Sequence, residues 1–201
     1  WDVVNQTIDE KAVLNADFII HLAGENIAEQ RWTAKRKAAI IDSREQSTLL
    51  LYSVLKKNNK KLDAFISASA VGIYGAVNGE EICTEDMPPA NDFLGYTCQK
   101  WEDSLDFIEN LNSRTVMIRT GLVLGKNEGF LKKLTPLFKY RLGSALGSGK
   151  QYMPWIHVDD LCAIYYQAII NPAMSGPYIA AINDNTTNSV FSKTLKIVMS
   201  L

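Results

Sequence analysis

Short apolar runs alternate along the chain with longer segments whose apolar residues recur every three or four positions. The apolar runs predict buried strands at residues 17–22, 64–66, 115–118 and 178–182. The helical periodicity predicts helices at residues 9–16, 33–58, 93–112, 130–142, 159–170 and 188–201, with an extended segment at 151–156. Strands that alternate with helices of about a dozen residues indicate an α/β fold built on a parallel sheet.

Two of the predicted strands end in small or hydroxylated residues. The first runs into Ala23-Gly24, and the second changes at Ser67 into a small-residue segment that ends at Tyr74-Gly75. Ligands of open α/β sheets bind in the crevice beyond the carboxyl ends of the strands, where small side chains leave room for a flat molecule. A plain core strand followed by a glycine turn is the alternative interpretation of residues 64–75.

The composition is that of a globular protein, and the length suits one large domain or one domain with an appendage. Its 201 residues are 47% hydrophobic and 21% charged, and the formal net charge of −1 gives no overall electrostatic reason to bind nucleic acid or an anionic membrane. The apolar runs fall well short of the roughly 20 residues of a membrane-spanning helix. The cysteines at 83, 98 and 162 are widely spaced without a CxxC pair, which favours a reducing, cytoplasmic location over disulfides or a zinc site.

Four motifs occur in an order typical of one enzyme superfamily. HLAG at 21–24, SASAVGIYG at 67–75, RTGLVLG at 119–125 and WIHVDDL at 155–161 together resemble the extended short-chain dehydrogenase/reductases of the NAD-dependent epimerase family. The phrases GENIAEQRW, IIDSR and LGSGKQYMPWIHVDDL are more specifically similar to the atypical YfcH-like epimerase-family proteins. The resemblance covers nearly the whole chain.

This resemblance implies a Rossmann-like, doubly wound parallel sheet with a small substrate-covering part. Residues 1–125 would form the NAD(P)-binding core, and residues 126–201 would combine further core elements with the substrate-covering region in the same structural domain. Family members begin with a strand and a GGTGxxG phosphate-binding loop, whereas this chain starts at WDVVNQ. We therefore expect a chain cut from something longer that lacks the first βαβ unit. If these 201 residues were the entire molecule, we would expect weak or absent cofactor binding and an exposed sheet edge prone to association.

The resemblance also implies positions for a cofactor, NADP(H) or NAD(H), with a mild preference for NADP(H). The candidate cofactor-binding residues are Leu22, Ala23, Gly24, Arg44, Ser67, Ala68, Gly121 and Val123. The first three follow the strand on the adenosine side, and the last two follow the strand on which the nicotinamide end rests. Arg44 stands where relatives commonly carry an Asn, so its guanidinium could bind a phosphate or a ribose hydroxyl. The alternative is a surface arginine paired with Asp42 or Glu45.

The catalytic residues of this family are a Ser or Thr and a Tyr-x-x-x-Lys pair, in which the tyrosine is the general acid/base. Ser69 lies in the region of the catalytic serine and could hold a substrate carbonyl, although an alignment on the following Tyr-Gly places Ala70 there. A small residue chosen for packing is the other interpretation of Ser69. Tyr96 and Lys100 are a literal match to the Tyr-x-x-x-Lys pair.

Helical spacing separates this literal pair from the apolar stripe of its own helix. At about 100° per residue with Leu94 at zero, Cys98 falls near 40°, whereas Tyr96 and Lys100 fall near 200° and 240°. In extended family members a Glu often follows the catalytic lysine by four residues, and Glu102 follows Cys98 at that spacing. Leu94 and Cys98 thus align with the catalytic positions. Tyr96 and Lys100 are then either catalytic or on the outer side of the helix, and Cys98 is either a nucleophile or a small buried residue.

The function implied by the resemblance is reversible hydride transfer at a hydroxyl or carbonyl carbon of a small or sugar-like substrate, by an NAD(P)-dependent epimerase or oxidoreductase. One alternative is a non-catalytic NADP(H)-binding protein that senses redox state or acts through a partner, and another is a binding fragment without a cofactor. The resemblance also suggests a homodimer through the two long helices. The sequence predicts no metal site, since His21 and His157 are the only histidines.

Overall fold

The computed structural model describes residues 1–75, 82–126, 129–140 and 143–199. Within these residues the strands are β1 (Phe18–His21), β2 (Ala64–Ala70), β3 (Arg114–Thr120), β4 (Leu122–Leu124), β5 (Trp155–His157) and β6 (Gly176–Ala180). The α-helices there are α1 (Glu10–Leu14), α2 (Ala34–Lys57), α3 (Phe93–Asp103), α4 (Asp106–Glu109), α5 (Gly129–Lys139), α6 (Val158–Ile170) and α7 (Asn188–Val198), and a 3₁₀-helix spans Val71–Tyr74. None of the helices in this part of the chain is long and apolar enough to cross a lipid bilayer.

Four of the strands form one parallel sheet in the order β1-β2-β3-β6, and β4 and β5 form a separate parallel pair. β2 and β3 are in register from Ala64 opposite Arg114 to Ala70 opposite Thr120. β6 pairs with the later part of β3, so that Ala180 also lies opposite Thr120. The carboxyl ends of β2, β3 and β6 therefore meet at one edge of the sheet, together with the small residues predicted to mark a ligand site.

Helices cover both faces of the sheet because the side chains of a strand alternate between its faces. One face packs against α2 and α4 through a cluster that includes Leu55, Phe65, Leu105, Ile108 and Met117. The other face packs against α6 through a cluster that includes Ala64, Ile66, Val116, Ile118 and Ala168. Since both faces are buried, consecutive positions of β2 are apolar, and the sequence shows a continuous run instead of an alternating one. The α/β class, the parallel sheet and its doubly wound character are confirmed.

The helix predicted at residues 93–112 is divided into α3 and α4. The hydroxyl of Ser104 donates to the carbonyl of Trp101 at 2.6 Å, a local hydrogen bond that competes with the regular main-chain pattern where α3 ends. Leu105 and Ile108 are nevertheless fully buried. The apolar spacing continues across the break, and for this reason the sequence alone did not indicate where the helix ends.

Other boundary differences are small. The last strand is Gly176–Ala180 instead of 178–182, because it is the residues from 176 onward that pair with β3. Of the segment 151–156 predicted as extended, only the end belongs to β5. The predicted loop residues 76–81 and the predicted helix residues 141–142 and 200–201 lie outside the described residues.

Within the described residues β1 pairs with β2 alone, so its other side is an edge of the sheet. Along β1 and just beyond it, Phe18, Ile20 and Leu22 are 39%, 44% and 64% exposed.

Candidate functional site

A cleft of about 790 Å³ opens at the carboxyl end of β1. Its walls come from the N-terminal segment, from the residues after β1, which include Ala23, Gly24 and Glu25, and from α2, which contributes Ser43 and Gln46. A second cleft of about 430 Å³ lies along β1 and includes Leu22 and Ala23. The three predicted cofactor residues that follow β1 therefore line open space at the edge of the sheet.

Arg44 is buried beneath the segment that follows β1 instead of lying on the surface of α2. Its Nη1 donates to the carbonyl oxygens of Ile40 at 2.8 Å and Glu25 at 3.2 Å, and its Cζ lies 4.8 Å from the centre of the Trp101 ring. A Cβ atom at Gly24 would lie only 3.0 Å from Cζ of Arg44, so the absence of a side chain there permits this close packing. The partners of the guanidinium are thus main-chain carbonyls and an indole ring, and not the neighbouring carboxylates considered from the sequence.

The two serines near the end of β2 both have their hydroxyls engaged. Ser67 is buried and donates to the carbonyl of Ala68 at 2.9 Å. Ser69, also buried, donates to Oε1 of Glu102 on α3 at 2.6 Å. Because an ionised carboxylate only accepts hydrogen bonds, the proton of Ser69 is committed to Glu102, and only the lone pairs of Ser69 are available to a ligand.

Glu102 belongs to a buried polar network that joins the carboxyl ends of β2, β3 and β6 to α3. Arg119 binds it with two parallel hydrogen bonds, Nε to Oε1 at 3.0 Å and Nη2 to Oε2 at 2.8 Å. Nη1 of Arg119 donates to the Tyr74 hydroxyl at 2.9 Å and to the carbonyl of Glu85 at 2.8 Å. The carboxylate of Glu85 in turn accepts the main-chain N–H of Ile179 at 2.8 Å. Burial alone would lower the pKa of Arg119, but the hydrogen bonds with Glu102 and Tyr74 raise it above its ordinary value.

Beside this network, small and apolar side chains form a wall between the end of β2 and α3. Cys98 is buried and packs in one cluster with Ala70. A Cβ atom at Gly72 would lie 3.5 Å from Cβ of Leu94 and 3.9 Å from Sγ of Cys98. Burial raises the pKa of the Cys98 thiol to about 11, with a smaller contribution from the charge of Glu102. The thiol is therefore protonated at neutral pH, which makes it a weak nucleophile.

Tyr96 and Lys100 lie on the opposite side of α3, as the helical spacing indicated. Tyr96 is 49% exposed, and Nζ of Lys100 lies over its ring at 5.8 Å from the centroid. Tyr96 and Lys100 thus contact each other, but they do not lie on the face of α3 that carries Cys98.

Gly121 and Val123 follow the end of β3 and contact the two neighbouring strands. The N–H of Gly121 donates to the carbonyl of Ala180 at 3.0 Å, and a Cβ atom there would lie 2.7 Å from the carbonyl oxygen of Pro154. Val123 lies in β4 opposite Ile156 of β5. A side chain at position 121 would collide with the carbonyl of Pro154, which explains the glycine there. Both residues lie at the carboxyl edge of the sheet.

The network residues Arg119, Glu85 and Tyr74 were not among the residues singled out from the sequence. The RTG motif contains Arg119, and Glu102 follows Cys98 by four residues, so both partners of the buried ion pair carry a weak signal in the sequence. Nothing local joins them, because they are 17 residues apart on a helix and a strand.

Comparison with known proteins places the chain among epimerase-like sequences. The sequence model of the NAD dependent epimerase/dehydratase family matches residues 2–181. The epimerase family protein ML0860 of Mycobacterium leprae is 32% identical over 192 residues, which are 96% of this chain and 62% of the relative. The chain thus spans less than two thirds of the length of that relative.

Two solved structures superpose closely on the chain. The human epimerase family protein SDR39U1, crystallised with NADPH, has a TM-score of 0.84 and 27% identity over 96% of this chain and 68% of its own. The nucleoside-diphosphate sugar epimerase from Corynebacterium glutamicum has a TM-score of 0.84 and 34% identity over 97% of this chain and 40% of its own.

Proposed function

The chain belongs to the NAD-dependent epimerase/dehydratase family, and we propose that its protein binds NADP(H) or NAD(H) and transfers hydride at a hydroxyl or carbonyl carbon of a small or sugar-like substrate. The observation that carries this proposal is the cleft beyond β1, where the small residues Ala23 and Gly24 line the wall at the carboxyl edge of a parallel sheet. The human relative crystallised with NADPH supports the choice of cofactor.

Polar side chains that can hydrogen-bond a ribose line the cleft, together with the carboxylates of Glu25 and Asp42. Gly24 is packed against Arg44 so closely that a Cβ would displace the guanidinium, and Gln46 and Ser43 place an amide and a hydroxyl in the same wall. In the proposed arrangement Leu22, Ala23 and Gly24 line the adenosine side. The bound nicotinamide would supply or accept a hydride.

The other candidates take their proposed places along the same edge. Ser67 and Ala68 of β2 lie between the two ends of the cofactor, and Gly121 and Val123 lie at the nicotinamide end. Their position at the carboxyl edge supports these roles. They would act mainly through their main-chain atoms and through the shape that they give to the wall.

Among the candidate catalytic residues we propose that Ser69 holds the substrate. With its proton donated to Glu102, its oxygen accepts a hydrogen bond from a substrate hydroxyl. Cys98, as a protonated thiol, would serve as a small wall residue. Tyr96 and Lys100 would take part only if the substrate reached the outer face of α3, so Tyr96→Phe is expected to leave turnover unchanged.

The test uses the full-length protein that contains this chain. NADPH binding is measured by quenching of tryptophan fluorescence, and deuterium transfer from stereospecifically labelled NADPH to a panel of carbonyl compounds is followed by mass spectrometry. We expect micromolar or tighter binding, which Gly24→Val weakens at least about tenfold because the added side chain presses on the Arg44 guanidinium and shifts the wall of the cleft. Gly72→Ala, with only ordinary contacts around its new Cβ, is the control.

Two results would count against the proposal in different ways. Tight NADPH binding without deuterium transfer to any compound would favour the alternative, a redox-sensing or partner-binding protein. No binding of either dinucleotide would contradict the cofactor assignment itself. Titration of NADPH into the 201-residue chain alone then measures how much of the site these residues supply.

Cytoplasmic location and homodimer formation through α2 and α3 stay predictions. Sedimentation velocity of the full-length protein tests the dimer.

A further inference from the structure

The wall of the cleft at the carboxyl end of β1 is acidic. The carboxylates of Glu25 and Asp42 line it, and none of the described residues that line it is a lysine or an arginine. The proposed cofactor is a dinucleotide with anionic phosphate groups, and like charges repel each other. The negative charge of this wall must therefore be compensated by a cation that lies outside the lining.

Arg36, in the first turn of α2, supplies a positive charge to one of the two carboxylates. Its Nη1 donates to Oε2 of Glu25 at 2.8 Å, and its Nη2 donates to the carbonyl of Asn26 at 2.6 Å. The side chain of Arg36 is only 12% exposed, whereas that of Glu25 is 46% exposed. The cation is thus covered, while the carboxylate that it binds stays open to the cleft.

Glu25 is also held through its main chain. Its N–H donates to Oγ of Ser43 at 2.9 Å, and its carbonyl accepts Nη1 of Arg44 at 3.2 Å. Of its polar atoms, only Oε1 has no hydrogen-bond partner among the described residues. The carboxylate is therefore fixed in the wall and cannot turn away from a bound anion.

An ordinary surface ion pair is the other interpretation of Arg36 and Glu25. In such a pair, as between Lys57 and Glu10, both side chains are exposed and the contribution to stability is small. Arg36 differs because it is covered and also binds a main-chain carbonyl of the same segment. It stands at the end of α2 where the helix dipole disfavours a cation, so the stability of the helix does not explain its position.

We infer that Arg36 is a positioning residue of this cleft, which holds Glu25 and neutralises its charge so that an acidic wall can accept an anionic dinucleotide. The inference rests on the proposed function. Arg36 acts through Glu25, since it does not line the cleft itself. Without Arg36, the carboxylate of Glu25 would repel the phosphate groups of the cofactor, and dissolved salt would weaken this repulsion.

The test measures the affinity of the full-length protein for NADPH at low and high salt. Binding is followed by quenching of tryptophan fluorescence, and circular dichroism with urea unfolding checks that each variant is folded. Arg36→Met is expected to raise the Kd about tenfold at about 0.01 M salt, because one uncompensated charge then faces the ligand with little screening. At about 1 M salt the loss should fall to about threefold or less, because the Debye length there is only about 3 Å.

A second substitution separates charge from structure. Arg36→Met combined with Glu25→Gln removes the cation and the anion together, so the Kd should return to within about threefold of that of the unchanged protein. A purely structural role predicts the opposite, because the double variant still lacks the hydrogen bonds of Arg36. Arg36→Lys keeps the charge without the planar fork and should also stay within about threefold.

Glu25→Gln alone tests the same charge while Arg36 stays unchanged. It leaves the cation without its anion, so it should strengthen NADPH binding by about threefold at low salt, with a smaller effect at high salt. A purely structural role of the pair predicts weaker binding. This measurement decides between the two roles even if Arg36→Met does not fold.

Lys35→Met is the matched control. Lys35 precedes Arg36 on α2 and carries the same charge, but it is exposed, does not line the cleft and pairs with none of the described residues. The Kd of this variant should stay within about twofold of that of the unchanged protein at both salt concentrations.

Several outcomes would overturn the inference while leaving dinucleotide binding in place. They are an unchanged Kd for folded Arg36→Met, a loss that is equal at both salt concentrations, a double variant that binds as weakly as Arg36→Met, and weaker binding by Glu25→Gln. Absence of NADPH binding by the unchanged protein would remove both the inference and the proposed function.

Discussion

The ion pair between Arg119 and Glu102 offers the sharpest test of how this site is held together. Their side chains are 7% and 11% exposed, and the pair also fixes the hydroxyls of Ser69 and Tyr74. Arg119→Met removes four hydrogen bonds and leaves the carboxylate buried with Ser69 alone. Removal of one partner of a buried pair typically costs about 3–5 kcal/mol.

A double-mutant cycle separates the cost of an unpaired charge from the value of the interaction itself. Glu102→Met should cost about as much as Arg119→Met, because it leaves a buried guanidinium without its anion. The double variant leaves no unpaired charge, so its loss of unfolding free energy should be at least about 2 kcal/mol smaller than the two single losses combined.

Urea unfolding followed by circular dichroism and tryptophan fluorescence measures these free energies. Lys57→Met is the matched control, since Lys57 pairs with Glu10 at 2.9 Å but the two side chains are 67% and 44% exposed. That change should cost about 0–1 kcal/mol, as exposed pairs do. A loss below about 1 kcal/mol for Arg119→Met, or strict additivity in the double variant, would refute the reasoning.

Three further predictions concern other parts of the chain. Burial lowers the pKa of His21 to about 4, so the stability linked to its neutral form is complete above pH 6.5 and is lost progressively as the pH falls from 6.5 towards 4. We expect His21→Gln to flatten the pH dependence of unfolding free energy in that window, and an unchanged slope would contradict this. Iodoacetamide at pH 8 should label exposed Cys162 at least about 100-fold faster than buried Cys98, whose pKa is raised to about 11, as peptide mass spectrometry can show. Gly95→Ala should lower the free energy of unfolding in urea by about 1–3 kcal/mol, because its Cβ meets the backbone of the preceding loop. Gly72→Ala, the control, should lower it by less than about 1 kcal/mol. Equal losses for the two variants would contradict this and show that α3 can shift.

Much of the fold could be predicted because it depends on local pattern. The apolar run of β2 and the helical spacing of α2 each reflect which faces are buried, and this is encoded within a few turns or residues. The same rule placed Tyr96 away from the stripe of Cys98, in agreement with the exposure of that tyrosine. The end of α3 at Asp103 could not be predicted, because burial continues through Leu105 while only the hydrogen bonding changes.

The sequence by itself determined the α/β class, the parallel sheet and the family resemblance, and it predicted one edge of the sheet as the place for a ligand. Only the tertiary structure decided what the polar residues at that edge do. The hydroxyl of Ser69 is committed to a carboxylate 33 residues away, and Arg44 lies buried on the ring of Trp101 instead of on the surface. The physical reason is that periodicity reports which side of an element is buried, whereas the donor or acceptor that meets a side chain there comes from another element brought close by the fold.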